Sequence, residues 1–453
     1  MTVNKPLADE KAVPRTRRAA WLAAGAVSLA MALSACGGST PAKTTKDGFA
    51  QAAQTDGAVT VWVDATRLAA AKQYQALHPE VKMDIVSYDG DANGSNYLQT
   101  KVQLFNRTGK GWPDVVFSSQ NNEVTWAVDA GFAAPLDKGL VPADTLGQFA
   151  KGANDVCTVD GTVYCLRNDL SQAVLWYNAP LMKQFGYTVP KTWEEYQALG
   201  EKVATEHPGY LVGDGGDSFT PEIYLWASKC GANHITGPKA VSVNTSGPEC
   251  TKMAQLMDTL IKNKSMSTSG VFSTDFAKNE VGKVLLMPGP AWFGGAVFKD
   301  TLKTPEKTIG VAPMPQWRGD SAPATGNVGG GTWLVSQHST HLKAATDFLK
   351  WVTTDNAYQG EKAPGFPAYA PAADSWLKAQ ETSGYYTGDL SALKDASSQV
   401  WPGWGSGQFS QEAVWAATVK PGMTQGQTIV SLLPAWQDSI VKHAESLGYK
   451  VSQ

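Results

Sequence analysis

The chain has 453 residues, a length that fits about two to three domain-sized units. A hydrophobic content of 43% supplies real cores and excludes wholesale disorder. With 38 Lys+Arg against 41 Asp+Glu the net charge is -3, which excludes a basic nucleic-acid-binding chain, while 16 Trp and only 5 Cys stand out.

In chain order, residues 1–35 read as an export signal and are set aside from the fold. Arg15, Arg17 and Arg18 form a positive start. Residues 19–33 follow, small, apolar and uncharged, too short and Ala-rich for a comfortable membrane span. Leu33-Ser34-Ala35-Cys36 then resembles a bacterial lipobox, in which the Cys is lipidated and becomes the mature first residue. The alternative is an uncleaved signal anchor with an incidental Cys. Thr16-Arg17-Arg18 loosely resembles a twin-arginine signal, and ordinary export is its equal alternative. Removing residues 1–35 takes five of the 38 basic and two of the 41 acidic residues and leaves a net charge of -6. Residues 36–57 are rich in Gly, Ser, Thr, Ala and Lys and read as a flexible tether. More than one acyl chain on Cys36 gives stable anchoring. The expected location is the extracellular face of a cell membrane, in a Gram-positive bacterium.

Residues 58–63 alternate and predict a strand. Helical spacing follows over 68–77 and stops before His78-Pro79. Another strand is predicted over 81–86, a helix over 97–105 and a short buried strand over 113–117. This strand–helix–strand–helix–strand order predicts a parallel sheet covered by helices. Asp89-Gly90-Asp91-Ala92-Asn93-Gly94 matches half of a calcium loop, but Thr100 replaces the bidentate Glu, so an ordinary turn is expected and no metal.

Cys157 and Cys165 flank Asp160-Gly161, a hairpin turn that sets the two cysteines opposite each other. With Cys36 assigned to lipid, four cysteines remain, an even number suited to an exported protein. Three pairings are possible in principle; Cys157–Cys165 is favoured and Cys230–Cys250 follows by elimination. A zinc site is the rival, without CxxC spacing or clustered His to support it.

Further along, residues 173–177 predict a strand, and Thr192-Trp193-Glu194-Glu195 opens a helix with a capping box. Helices follow over 222–227, 251–262, 342–352 and 433–446, and strands over 283–287, 308–312 and 332–335. Alternation of this kind predicts an α/β fold of two lobes. No internal repeat is visible.

Several segments resemble the extracellular solute-binding proteins of ABC importers, in the carbohydrate-binding branch that includes maltose-binding protein. The carriers are Val59-Thr60-Val61-Trp62-Val63 and Pro113-Asp114-Val115-Val116-Phe117. They continue with Ala130-Gly131 and Pro135-Leu136-Asp137, Asp160 to Tyr164, Trp176-Tyr177-Asn178, Phe185-Gly186, Pro190 to Glu195, and the block 332–352. The order is right and nearly the whole mature chain is covered. Two departures are Cys165-Leu166-Arg167, where Gly-Val-Pro is usual, and the poorly matching stretch 365–407.

The resemblance implies a two-lobed periplasmic-binding-protein-like fold, each lobe a mainly parallel sheet flanked by helices, with the ligand cleft between them. Lobe 1 is expected over 58–170 and 326–368, and lobe 2 over 171–325 and 369–453. Crossings are expected near Ser171, 326–331 and 364–371. It implies a monomer that captures a mono- or oligosaccharide, closes around it and hands it to ABC permease subunits, with no cofactor and no chemistry of its own.

A sugar presents hydroxyls at its edge and apolar C–H faces, so its site combines polar side chains with planar aromatics. Ligands of parallel sheets sit beyond the carboxyl ends of strands. Asp64, Thr66 and Arg67 follow the first strand, and Gln120 and Asn121 follow the third; all five are candidate contacts, with helix capping as the plain alternative. Trp292 follows a later strand at the position where the family carries a stacking Trp. Trp226, Trp333, Trp401 and Trp404 are further candidates, the last two held in a Trp-Pro-Gly-Trp-Gly loop. Ser171 and Gly330 sit at the crossings. Trp62, Trp193, Trp351, Trp415 and Trp436 fit core positions. Two other readings stay open. A polyamine or peptide receptor would need several carboxylates in the cleft, and the run 118–122 has none. A lipid-anchored glycosidase would need two carboxylates flanking a sugar bond.

Overall fold

The computed structural model describes residues 49–453 apart from 93, 94 and 406. The export segment, Cys36 and most of the predicted tether lie outside the described residues. Residues 49–57 are not a free linker. Phe49 is buried, Thr55 N–H donates to the Thr340 carbonyl at 2.9 Å, and the Gln54 carboxamide accepts from Leu342 N–H at 2.7 Å. Composition alone could not reveal this pinning, because its partners lie almost 300 residues away.

Two sheets organise the chain into two lobes. In the first, the strand order is Met83–Ser87, Val59–Val63, Val115–Ser118, Thr332–Val335, Cys165–Arg167. The first three strands are parallel, and Thr332–Val335 runs antiparallel to both its neighbours. In the second, Ala173–Asn178 lies between Leu286–Pro290 and Ile309–Ala312, antiparallel to both. A parallel bridge from Leu211 to Val284 extends this sheet toward the parallel pair Gly213–Asp214 and Met266–Ser267. Each sheet is therefore mainly parallel with one reversed strand. The reversed strands are those entered directly from the other lobe, without a helical crossover to turn the chain around.

Local chemistry sets many element ends. The αL glycines Gly109 (φ 68°) and Gly186 (φ 70°) close the helices Tyr97–Thr108 and Ala179–Phe185. The predicted capping box forms at Trp193–Glu206: Glu195 N–H donates to Thr192 Oγ1 at 3.1 Å, and Thr192 N–H donates to Glu195 Oε2 at 3.4 Å. Asp91, in the half-matched calcium loop, is a helix cap. Its carboxylate accepts from Tyr97 N–H at 2.8 Å and Leu98 N–H at 3.1 Å. Some predicted boundaries shift. The strand expected over 283–287 forms at Leu286–Pro290. The last helix starts at Ile429, because Thr428 caps it and the Asp258 carboxylate accepts from Ile429 and Val430 N–H at 2.6 and 3.1 Å. Pro434 inside it reads in sequence as a start signal.

Both favoured disulfides are present, with Cα separations of 4.9 Å for Cys157–Cys165 and 4.5 Å for Cys230–Cys250. The hairpin register offsets the first pair by one residue: Cys157 faces Tyr164, whose N–H donates to its carbonyl at 2.8 Å. Trp176, Trp193, Trp333, Trp415 and Trp436 are fully buried, and Trp62 is buried. Trp351 is partly buried.

Three segments run together where the lobes meet. Asp169–Leu170 pairs with Phe366–Pro367, and Gln172 bridges Asn327. Val328 N–H donates to the Ser171 carbonyl at 3.1 Å. Among the described residues, no helix is long and apolar enough to cross a membrane.

Candidate functional site

Beyond the carboxyl ends of Val59–Val63 and Val115–Ser118 lies a cleft of about 740 Å³, faced from the second lobe by the segment after Leu286–Pro290. Thr66, Arg67, Gln120, Trp292 and Gly330, all predicted from sequence, line it.

Arg67 is held by two carboxylates and a ring, and its Nε is left without a partner. Its guanidinium bonds Asp64 at 3.2 Å and Asp169 at 3.1 Å, and it lies over the Phe117 ring at 4.2 Å. Burial works against its charge, and the two carboxylates more than offset this, so its pKa stands above the ordinary arginine value. Asp64 does not line the cleft. It accepts from Arg67 N–H at 2.7 Å and positions that side chain. Close by, burial lowers the Arg167 guanidinium to about 10, with Asp169 opposing. Arg167 donates to Asn121 Oδ1 and to the Gly329 carbonyl.

Gly330 has φ +88°, and a Cβ there would collide with Arg167, the Asp169 carbonyl and Ser171 Oγ. The backbone can pass at this point only without a side chain. Ser171 lies beneath it, fully buried and off the cleft surface, with Oγ unpartnered. It is a crossing residue and has no ligand face.

Trp292 Nε1–H donates to the Val328 carbonyl at 3.0 Å, which ties the ring to a crossing segment. Phe272 stacks on it, 5.9 Å between centroids and 15° between planes, and is itself 54% exposed. After Trp292 the chain winds as a π-helix over Gly294–Thr301, with Thr301 Oγ1 donating to the Ala296 carbonyl at 2.9 Å. That winding turns Gly295, Ala296, Lys299 and Asp300 to the cleft.

Three sequence expectations need correction. Trp333 is fully buried, its Nε1–H donates to Asn168 Oδ1 at 2.8 Å, and it packs edge-on against Phe117 and Phe348. Strand alternation after the glycines points it into the core. Trp401 is partly buried and lines neither this cleft nor the smaller chamber beside it; its carbonyl accepts from Trp226 Nε1–H at 2.7 Å. The cleft is also more acidic than the run 118–122 suggested. Asp169, Asp300, Glu361 and Glu412 line it, against Arg67 and Lys299.

Trp226, Trp404 and Asn121 line a smaller chamber of about 30 Å³, which shares Ser119, Gln120, Gly329 and Glu412 with the cleft. The two indoles meet edge to face at 5.0 Å. Gln120 Nε2 lies 3.4 Å from Glu412 Oε1 and its Oε1 lies 3.5 Å from Ser410 Oγ, so its amide joins the end of strand Val115–Ser118 to the start of helix Gln411–Thr418. Burial pushes Glu412 up to about 7, with Asp217 adding to this and bonds from Gln120 and Ser218 opposing; burial also lifts Glu222 well above the usual range, as does Glu412 beside it.

Sequence reading missed Phe272, Trp376, Tyr385 and Tyr386 on the cleft wall, and the acidic groups Glu222 and Glu412. The adjacent Tyr385-Tyr386 between Gly384 and Gly388 was a usable signal, because aromatics between glycines seldom serve a regular element. Nothing local marks Glu412, which sits in the first turn of a helix where acidic residues are ordinary. Among the described residues, no group of three or more His, Cys, Asp or Glu is arranged to hold a metal ion.

Comparison with known proteins adds to this geometry. A lactose-binding protein of Rhizobium radiobacter is 25% identical over 315 residues, 65% of this chain and 69% of that protein. A probable ABC transporter-binding protein of Deinococcus radiodurans is 25% identical over 229 residues, 48% of this chain; the match spans 53%, about half, of that relative's length. The fold is shared with a binding protein of Bifidobacterium animalis subsp. lactis solved with β-1,6-galactobiose, at TM-score 0.72 and 21% identity over 87% of this chain and 99% of that one. It is shared equally with the galacto-N-biose/lacto-N-biose I-binding protein of Bifidobacterium longum, at TM-score 0.72 and 19% identity over 88% and 100%. Residues 60–359 match the family described as bacterial extracellular solute-binding protein, and the chain belongs to that family.

Proposed function

We propose that this chain is the substrate receptor of an ABC importer, capturing a mono- or oligosaccharide outside the cell and delivering it to the permease by lobe closure. The observation that carries the reading is the cleft itself. Aromatic surfaces (Trp292 on Phe272, with Tyr385 and Tyr386 nearby) face polar groups such as Gln120 and Arg67 across a space of about 740 Å³. Rings suit the apolar faces of a sugar, and the polar groups suit its hydroxyls. A polar group left unpaired in a closed cleft costs about 1–3 kcal/mol, which favours a ligand that matches each one. The names of the relatives point the same way.

In this reading the lobes comprise 58–170 with 326–368, and 171–325 with 369–453. The protein is a monomer, tethered through a lipidated Cys36 to the outer face of a Gram-positive membrane. It performs no chemical step. A second reading, a receptor for a cationic solute such as a polyamine, is favoured by the four carboxyl side chains that line the cleft.

A thermal-shift screen tests the proposal, since a ligand that binds only the native state raises the melting temperature. Neutral saccharides are expected to raise it. A rise with diamines and with no saccharide would replace the first reading by the second. Mass spectrometry of the membrane-extracted protein checks the anchor, expecting a diacylglyceryl mass on Cys36 and no residue before it.

A further inference from the structure

The small chamber beside the cleft is built around two acidic groups that no basic side chain faces. Glu222 and Glu412 both line it. Burial raises both, Glu412 adding to this for Glu222 and Asp217 for Glu412, and no basic side chain contributes to either. Elsewhere in the site the opposite holds: Asp64 and Asp169 share Arg67.

The chamber also holds buried polar atoms without partners among the described residues. These are both amide atoms of Gln411, the Asn233 Oδ1 and the Trp404 Nε1. Their residues are 6%, 4% and 5% exposed in that order. Asn233 donates its amide N–H to the Gly405 carbonyl at 2.6 Å, so its oxygen is the atom left free. Buried polar atoms are otherwise almost always bonded, so a group of them around one space marks a place for a polar guest.

We infer that this chamber receives a protonated primary amine carried by the ligand, so that the preferred ligand is an amino-substituted saccharide. The inference rests on the carbohydrate reading and narrows it. An ammonium group has three N–H donors, and the chamber offers four acceptors: two carboxylates, the Asn233 oxygen and the Gln411 oxygen. A cation favours the ionised form that burial disfavours in both glutamates, and a neutral hydroxyl with one donor does not. The indoles of Trp226 and Trp404, edge to face at 5.0 Å, supply π surface that favours a cation over a neutral group. Size selects further. A space of about 30 Å³ suits a group no larger than one or two waters, so an –NH3⁺ fits and an acetamido or trimethylammonium group does not. Gln120, shared by chamber and cleft, stands where the amine would pass.

Calorimetric titration of the full chain at pH 7 with matched probes tests this. The probes are cellobiose, the free-amine disaccharide chitobiose, its N,N′-diacetylated form, and putrescine. The free-amine disaccharide is expected to bind on the order of tenfold or more tighter than cellobiose, the scale of charge-assisted hydrogen bonds. The diacetylated form should lose that gain. Glu222→Gln keeps the shape of the side chain and should bring the ratio of amine to neutral affinity close to one. Cellobiose binding as tightly as the free amine overturns the inference and leaves the carbohydrate reading standing. Putrescine binding with no saccharide bound overturns the carbohydrate reading and supports the chamber as an amine site. Binding of none of the four overturns both. The wild-type comparison stands even if the variant fails to fold.

Discussion

Two charged clusters flank the same cleft and are built on opposite plans. Around Arg67 every charge has a partner: Asp64 and Asp169 flank the guanidinium, and Asp169 is fixed in the crossing strand that pairs with Phe366–Pro367. Around Glu412 the titratable groups are all acidic with no basic partner, and several neighbouring side-chain atoms bond nothing. The first plan holds the lobes' meeting point in shape. The second costs stability and persists where function asks for it. Opposite charges paired near a cleft mark scaffold, and like acidic groups buried together mark the place of a guest.

The sharpest way to break this contrast is to open the paired cluster. Asp169→Leu removes one of the two carboxylates on the Arg67 guanidinium and the charge that opposes burial at Arg167. It should lower unfolding free energy by about 3–5 kcal/mol in denaturant melts; a loss below 1 kcal/mol would mean the network is ornamental. Gly330→Ala forces a side chain into a left-handed, crowded backbone beside that cluster and should cost about 1–3 kcal/mol. Trp292→Ala leaves both clusters intact and removes a cleft face. About tenfold weaker saccharide binding with little change in the far-UV spectrum is expected, and wild-type affinity would remove Trp292 from the site.

The unsatisfied cluster predicts a pH effect of definite sign. Burial raises the Glu412 carboxyl from 4.5 to about 7. Below 4.5 it is protonated in both the folded and unfolded chain. Between 4.5 and about 7 the unfolded chain releases a proton that the folded one retains, so stability falls as pH rises and levels off above 7. Glu222, Asp214 and Asp217, raised chiefly by burial, act in the same sense. Glu412→Gln should flatten the decline of melting temperature across this window, and an unchanged slope would show that Glu412 does not titrate there. The smallest effect is expected at the exposed edge. Asp129 pairs with Lys239 at 3.4 Å, both about half exposed, and Asp129→Ala should change stability by less than about 1 kcal/mol.

The legibility of these regions in sequence differed for a physical reason. Strands such as Val59–Val63 announce themselves by alternation, and Thr192 with Glu195 by a spacing that short-range geometry imposes. Arg67 and Gln120 could be placed on the cleft wall because clefts of parallel sheets open at the strand ends. Trp333 misled, because one residue of strand register decides between cleft and core. Glu222 and Glu412 stayed invisible because their meaning is entirely mutual: 190 positions separate them, and neither stands in an unusual local pattern.

The attachment of residues 49–57 carries a mechanical consequence. Thr55 and Gln54 are bonded to Thr340 and Leu342, just past the reversed strand Thr332–Val335 of the first sheet. Any tension transmitted along the chain that precedes Phe49 enters the molecule through that lobe. The second sheet would feel it only through the crossing strands. A pull from the amino-terminal side therefore steadies one lobe and leaves the other free to swing.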